Sequence, residues 1–225
     1  DGLLTSRIVI DAKGSPCTSF RRTIARTSAP EQRAIIEQAV ALAGNAQVDE
    51  LEWTNPYDYS RDTQVKMKVS AADYAAGSGK LRLLRLPMMS RPLGSFIAGD
   101  LAYALDAKER KSDMRLRATR LVRFEETIKL PAGWKVEHPP EAKKLDSGSA
   151  GLTFEAKFEG DTLTYKLELT IKNNIIPAKD YPGYKKAIDA MNEVADEWIV
   201  CRTEASASED NARKVATAAE EVGHE

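Results

Sequence analysis

Cys17, Cys201 and His138 are the residues best able to do nucleophilic or metal chemistry in this chain. A thiol activated by an imidazole is a covalent catalyst, and thiols with imidazoles bind zinc. Their placement speaks against both. The two cysteines lie nearly a chain length apart, without the short spacing of a zinc knuckle or a redox pair. Cys17 follows Pro16 in what reads as a hairpin, not at a helix N-terminus that would favour its thiolate. His138, in Val136-Glu137-His138-Pro139-Pro140, reads as a surface loop residue. No catalytic Cys17–His138 pair and no metal site is expected. A bridge between the cysteines needs Cα atoms within about 7 Å, so inert, partly buried thiols are the expectation.

Other motifs fail on inspection. Gly77-Ser78-Gly79-Lys80 hints at a phosphate loop, but that loop needs Gly where this chain has Tyr74 and Ser or Thr where it has Leu81. A plain hairpin or loop is expected instead. Ser147-Gly148-Ser149-Ala150-Gly151 lacks the Gly that a nucleophile elbow has at the position of Ser147, and it reads as a flexible connection. The carboxylate pairs Asp49-Glu50 and Glu125-Glu126 are adjacent, so on strands they point to opposite faces and form no acid–base dyad. Arg110, Lys111, Arg115, Arg117, Arg120 and Arg123 make the densest basic stretch. It has little aromatic interleaving, and cations on a strand's wet face guard against edge pairing, so nucleic-acid binding is not expected. No catalytic residue, cofactor site or metal site is assigned.

Composition sets the outer bounds. The chain has 225 residues, 33 basic and 34 acidic side chains, and a net charge of −1, which excludes a nucleic-acid binder working by bulk electrostatics. The 42% hydrophobic content is ample for a packed core. No run reaches the roughly 18 apolar residues of a membrane span, and no N-terminal signal segment is seen. The opening Asp1-Gly2-Leu3-Leu4, without an initiator Met, reads as part of something longer.

The elements that would position these residues follow from periodicity. Leu4, Ser6, Ile8 and Ile10 alternate as a half-buried strand, Asp11-Ala12-Lys13-Gly14 supplies a turn, and Cys17 to Arg26 reads as the return strand. Ser28, Pro30 and Glu31 start a helix whose stripe runs Ile35, Ile36, Ala39, Val40, Leu42 and Ala43, ending at Gly44. Strands are expected at Val48–Trp53, Val65–Val69 and Leu81–Leu86, with turn chemistry at Thr54–Asp58; Phe96–Leu105 is ambiguous between strand and helix. A charged run, 106–113, suggests a boundary. Beyond it Leu116, Ala118, Val122, Phe124, Ile128 and Leu130 share one parity, broken only by Arg120 and Glu126, as one long one-sided strand. Leu152–Phe158 and Tyr165–Ile171 form a hairpin about Gly160-Asp161, whose register is pinned by the period of two. A second helix begins at Pro182 with Tyr184, Ile188, Met191 and Val194 on one stripe, and Trp198–Cys201 closes as a strand. The expected class is α+β and β-rich, with antiparallel sheets or a sandwich and one helix packed per domain. The expected division is 1–108, 109–202 and a tail 203–225 of net charge −4, as a loose helix or disordered.

Phe124-Glu125-Glu126-Thr127-Ile128-Lys129-Leu130-Pro131-Ala132-Gly133-Trp134-Lys135-Val136, then Pro139-Pro140, together with Leu163-Thr164-Tyr165 leading to Ile176-Pro177-Ala178-Lys179-Asp180-Tyr181-Pro182, carry a family likeness. The region resembles the C-terminal β-domain that follows the core in bacterial transglutaminase-like proteins. The opening block, the helix after Ser28 and the Asp58–Arg61 turn are similar to the segment that follows that core. The resemblance implies a secreted or periplasmic parent and an intramolecular partnership with a papain-like core. It implies no catalytic residue here, because the family's Cys-His-Asp triad belongs to the core. The expected function is that of a non-catalytic accessory domain of unknown ligand; an independent glycan- or peptide-binding β-module is the alternative. On physical grounds Pro131-Ala132-Gly133 ends a strand in a tight turn that sets Trp134 as a packing anchor, and Pro182 lies in a first helical turn.

Overall fold

The computed structural model describes residues 3–41, 46–72, 74–77, 80–86 and 105–203. In chain order the elements are β1 (Leu4–Gly14), α1 (Ser15–Arg26), α2 (Ala29–Ala41), β2 (Ala46–Trp53), β3 (Thr63–Ala71), β4 (Leu81–Leu84), β5 (Met114–Arg115), β6 (Arg120–Lys129), β7 (Trp134–His138), β8 (Lys143–Asp146), β9 (Ala150–Glu159), β10 (Thr162–Ile171), β11 (Ile175–Ile176), α3 (Tyr181–Asp196) and β12 (Ile199–Thr203). Seven strands form one antiparallel sheet in the order β2-β3-β1-β6-β10-β9-β8, and a smaller sheet runs β4-β12-β7. The architecture is α+β and rich in strand.

Alternation decides which face of the large sheet is dry. Ile8 on β1 faces Met67 on β3 and Glu126 on β6, while Tyr165 on β10 faces Glu126 from the other side, so the buried parities of four strands coincide. Phe124, Phe154, Tyr165 and Leu167 are all buried in this row. Helices α1 and α2 pack at the β1 and β2 side, and α3 packs over β8 and β9. Leu84, Ile199 and Cys201 of the smaller sheet join the same core. The other face carries charge that pairs across strands, Arg123 with Glu168 at 2.5 Å and Lys166 with Glu125 at 3.1 Å.

Several expectations hold in detail. The β9–β10 hairpin turns on Gly160-Asp161, with Thr162 opposite Glu159 and Gly160 at φ 63°. In α3, Tyr184, Ile188, Met191 and Val194 are fully buried. Ser28 opens α2: its N–H and hydroxyl both donate to the Glu31 carboxylate, at 2.8 and 2.7 Å, and hold that acid below its ordinary range. Pro131-Ala132-Gly133-Trp134 is a tight turn closed by the Trp134 N–H on the Pro131 carbonyl at 3.2 Å, with Gly133 at φ 82°.

Others are corrected. Cys17–Arg26 is helix α1, not a return strand. Its β-branched and hydroxyl residues favour strand, but Cys17, Phe20 and Ile24 recur at helical spacing and are buried, and Pro16 occupies the first turn. The turn before it depends on Gly14, at φ 93°, where a Cβ would lie 2.5 Å from the Thr119 carbonyl. The row after Leu116 is not one strand; β5 pairs with β11 and β6 starts only at Arg120. Strand β6 is interior to the sheet, so its cations are cross-strand partners and not edge guards. The 147–151 segment is a closed β8–β9 turn, with Ser147 and Ala150 exchanging hydrogen bonds and the Ser149 carbonyl accepting from Lys172. The charged run 106–113 separates the two halves in sequence, yet hydrogen bonding crosses it, because β1 pairs with β6 over ten registered residues. Residues Leu42–Gly44, Phe96–Ala104 and the tail from Glu204 lie outside the described residues.

Candidate functional site

Asn55-Pro56-Tyr57-Asp58 forms the turn that its residues favour. The Asp58 N–H donates to the Asn55 carbonyl at 3.0 Å and the Tyr57 N–H to the Asn55 side chain at 2.9 Å. Ser60 then donates from its N–H and hydroxyl to Asp58, which is held below the ordinary carboxylate range. Arg21 of α1 fastens this loop to the helix. Its guanidinium donates to the Thr63 hydroxyl at 2.8 Å and to the carbonyls of Asp58 at 2.6 Å and Arg61 at 2.5 Å. The Tyr57 hydroxyl adds a bond to the Ala25 carbonyl at 2.9 Å.

Between α1 and this loop lies an open cleft of about 530 Å³. Lys13, Arg21, Arg22, Arg26 and Arg61 line it against a single carboxylate, Asp62, and Tyr57 and Tyr59 stand at its wall. Lys13 pairs with Asp62 at 2.7 Å and Arg61 with Asp58 at 3.5 Å. Arg22 and Arg26 are exposed and form no ion pair among the described residues. Tyr59 is 82% exposed with the Arg21 guanidinium 5.8 Å from its ring centre, and Tyr57 is 65% exposed. The cleft is thus basic, aromatic-walled and rigidly framed.

Cys17 lies at the edge of the same cleft, in the first turn of α1. A helix N-terminus stabilises a thiolate, yet burial outweighs it here and pushes the thiol up, with the Thr63 hydroxyl and Arg21 opposing. Cys201, buried on β12, is pushed up to about 11 by burial, with the Glu137 charge adding to the rise. Both thiols are free. His138 ends β7, exposed and opposite Val200 of β12, and is a strand residue where a loop was expected. Ala76 and Leu83 pair as an antiparallel bridge at 2.9 and 2.7 Å on either side of the Gly77–Lys80 stretch, of which Ser78 and Gly79 lie outside the described residues. Glu125 and Glu126 do point to opposite faces, one wet and one dry. Asp49 is the extra residue of a bulge between Val48 and Glu50, so Asp49 and Glu50 are both exposed and do not alternate as adjacent strand residues would.

One functional-looking group was visible in the sequence only as a break in parity. Glu126 is wholly buried on β6, and the hydroxyls of Ser6 and Tyr165, from the strands on either side, donate to its two carboxylate oxygens. The Tyr74 phenol nearby is raised by burial, with the Glu126 charge adding to it. Trp134 is half-buried against the core, with Arg82 at 5.9 Å over its ring. The recognisable Ile176–Pro182 stretch fastens the segment before β5. Asp113 accepts from the Ala178 N–H at 2.9 Å, and the Tyr181 hydroxyl donates to the Ala107 carbonyl at 2.9 Å. Gly183 is required there, since a Cβ would lie 2.8 Å from that of Ser147.

Residues 92–201 match the model of a family described as a domain of unknown function with a solved structure, DUF3858. Both the Leu130–Trp134 and Ile176–Pro182 stretches fall inside the match, which spans β5 to Cys201 of β12. Strands β1 to β4, α1, α2 and the whole of the basic cleft fall outside it. No curated protein and no solved structure matches the chain. Among the described residues no helix is long and apolar enough to cross a membrane.

Proposed function

We propose that the chain is a non-catalytic accessory region of a larger, secreted transglutaminase-like protein, working by binding and positioning. The observation that carries this is the state of its nucleophiles. Cys17 and Cys201 are buried thiols held in the protonated form; His138, on the strand beside Cys201, is exposed and opposite Val200, whereas Cys201 is buried and opposite Val136. The hydroxyls that are best held, on Ser6 and Tyr165, bind a core carboxylate. The motifs that resemble the family act in packing: a turn that seats Trp134, and a helix start that fastens residues 105–113.

The reading frame upstream of Asp1 tests the parentage; a papain-like core with a Cys-His-Asp triad is expected, and its absence refutes it. Amide hydrolysis and hydroxylamine incorporation test the chemistry. No turnover is expected from this chain, and turnover lost in Cys17→Ala would overturn the reading. A second reading, an independent glycan- or peptide-binding module, is favoured by the exposed Tyr57 and Tyr59 rings.

A further inference from the structure

We propose that the cleft between α1 and the 54–62 loop binds an acidic oligosaccharide, one carrying carboxylate or sulfate groups on its rings. The inference stands whichever larger protein carries the chain.

Charge is the first ground. Arg22 and Arg26 lie one helical turn apart on α1, exposed at the cleft and without an ion pair among the described residues. Lys13, Arg21 and Arg61 are already engaged in holding the frame. Two adjacent planar guanidinium groups on a rigid helix face suit carboxylate or sulfate oxygens, which they bind in forked pairs.

The rings are the second. Tyrosine is ordinarily intermediate in burial, and these two are mostly exposed. The Tyr57 hydroxyl is pinned to Ala25, so the ring is fixed without being covered. Tyr59 stands over Arg21, a guanidinium immobilised by hydrogen bonds to the loop and to Thr63. A pre-positioned ring with exposed surface is a platform for the C–H face of a sugar, with little ordering cost on binding. The volume of about 530 Å³ lies within the usual range for small-ligand sites.

A peptide fits less well. Loop carbonyls of Asp58 and Arg61 are occupied by Arg21, and β1 and β3, whose ends border the cleft, are interior strands with neighbours on both sides. No strand edge is offered for main-chain pairing there. What remains is a set of cations, hydroxyls and rings, which is the complement of a polyhydroxylated acid.

The test is calorimetry on the whole chain with trigalacturonate and with a heparin tetrasaccharide. Cellotetraose, a glutamate decapeptide and a ten-residue thymidine oligonucleotide serve as comparisons. Saturable binding of at least one acidic sugar is expected, with the more tightly bound one identifying the acid group, and cellotetraose at least tenfold weaker. Arg22→Ala, Arg26→Ala and Tyr59→Ala should each lose at least tenfold with an unchanged melting temperature, and Arg22→Glu, on an exposed helix face, should abolish binding. Failure of both acidic sugars to bind would overturn the proposal. So would binding undiminished by Tyr59→Ala, which is bulk charge attraction, or tighter binding of the decapeptide or oligonucleotide than of either sugar.

Discussion

Removing the Glu126 carboxylate should cost more than removing any exposed ion pair. In Glu126→Ala the hydroxyls of Ser6 and Tyr165, both fully enclosed, lose their acceptor. Losing the acceptor of a buried hydroxyl costs about 1–3 kcal/mol. Two such losses cost roughly 2–6 kcal/mol, and the void adds to this while relief from burying a charge subtracts. A net loss of about 4 kcal/mol is expected. At about 2–4 °C per kcal/mol for a chain of this size, the melting temperature falls by about 8–16 °C. Glu126→Gln keeps the shape, and its amide can accept from one hydroxyl and donate to the other, so its loss should be near 1 kcal/mol. Urea unfolding of both variants, of Ser6→Ala, and of the Ser6→Ala, Glu126→Ala double variant reads these numbers. In the double variant the two losses should fail to add, since both remove the same bond. An Ala variant within about 0.5 kcal/mol of the parent, or a Gln variant as damaged as Ala, would refute the keystone role.

Trp134→Ala should cost about 2 kcal/mol, roughly half the loss of a fully buried aromatic because the ring is only half-buried. A melting temperature within a degree of the parent chain would reject its anchoring role. Gly14→Ala should destabilise by about 1–3 kcal/mol in urea, from its φ of 93° and the contact with Thr119, and by more than Gly133→Ala, where φ is 82° but the space is open. Equal losses would mean that the close approach to Thr119 is immaterial. The thiol of Cys201 is raised when folded, so its contribution is complete below its unfolded value of about 8.5. That contribution declines as pH climbs toward the folded value of about 11. Cys201→Ala should therefore flatten part of the alkaline loss of stability, and an unchanged alkaline limb would contradict the shift.

Local signals carried the local structure. Gly160-Asp161 between two alternating runs specifies its hairpin, and Ser28 with Glu31 specifies a helix start, because the interactions that decide them lie within a few residues. Helix α1 was read as strand since Thr18, Thr23 and Ile24 weigh toward extended backbone, and only burial against β1 reveals that Cys17, Phe20 and Ile24 form one face. The adjacency of β1 and β6 was not legible, because partner choice between distant strands rests on packing that no local pattern encodes. The cleft was hidden for the same reason: its cations and rings come from the end of β1, from α1 and from the 54–62 loop. The turn signals at Asn55-Pro56 indicate a loop but not the helix to which Arg21 fastens it. Glu126 was the exception, since a carboxylate in an otherwise apolar row is an anomaly that either faces water or has partners.

The position of β1 has a consequence for how the chain is made. Leaving the ribosome before the other described strands, it can pair with β3 once that strand emerges, but its other neighbour β6 ends 58 residues later, at Lys129 against Ala71. At about 5–20 residues per second the wait is about 3–12 s. Through that interval the partly assembled sheet of β2, β3 and β1 presents an open, largely apolar-backed edge, the kind of template on which chains mispair with one another. That edge closes only when β6 arrives and seats its carboxylate between two hydroxyls.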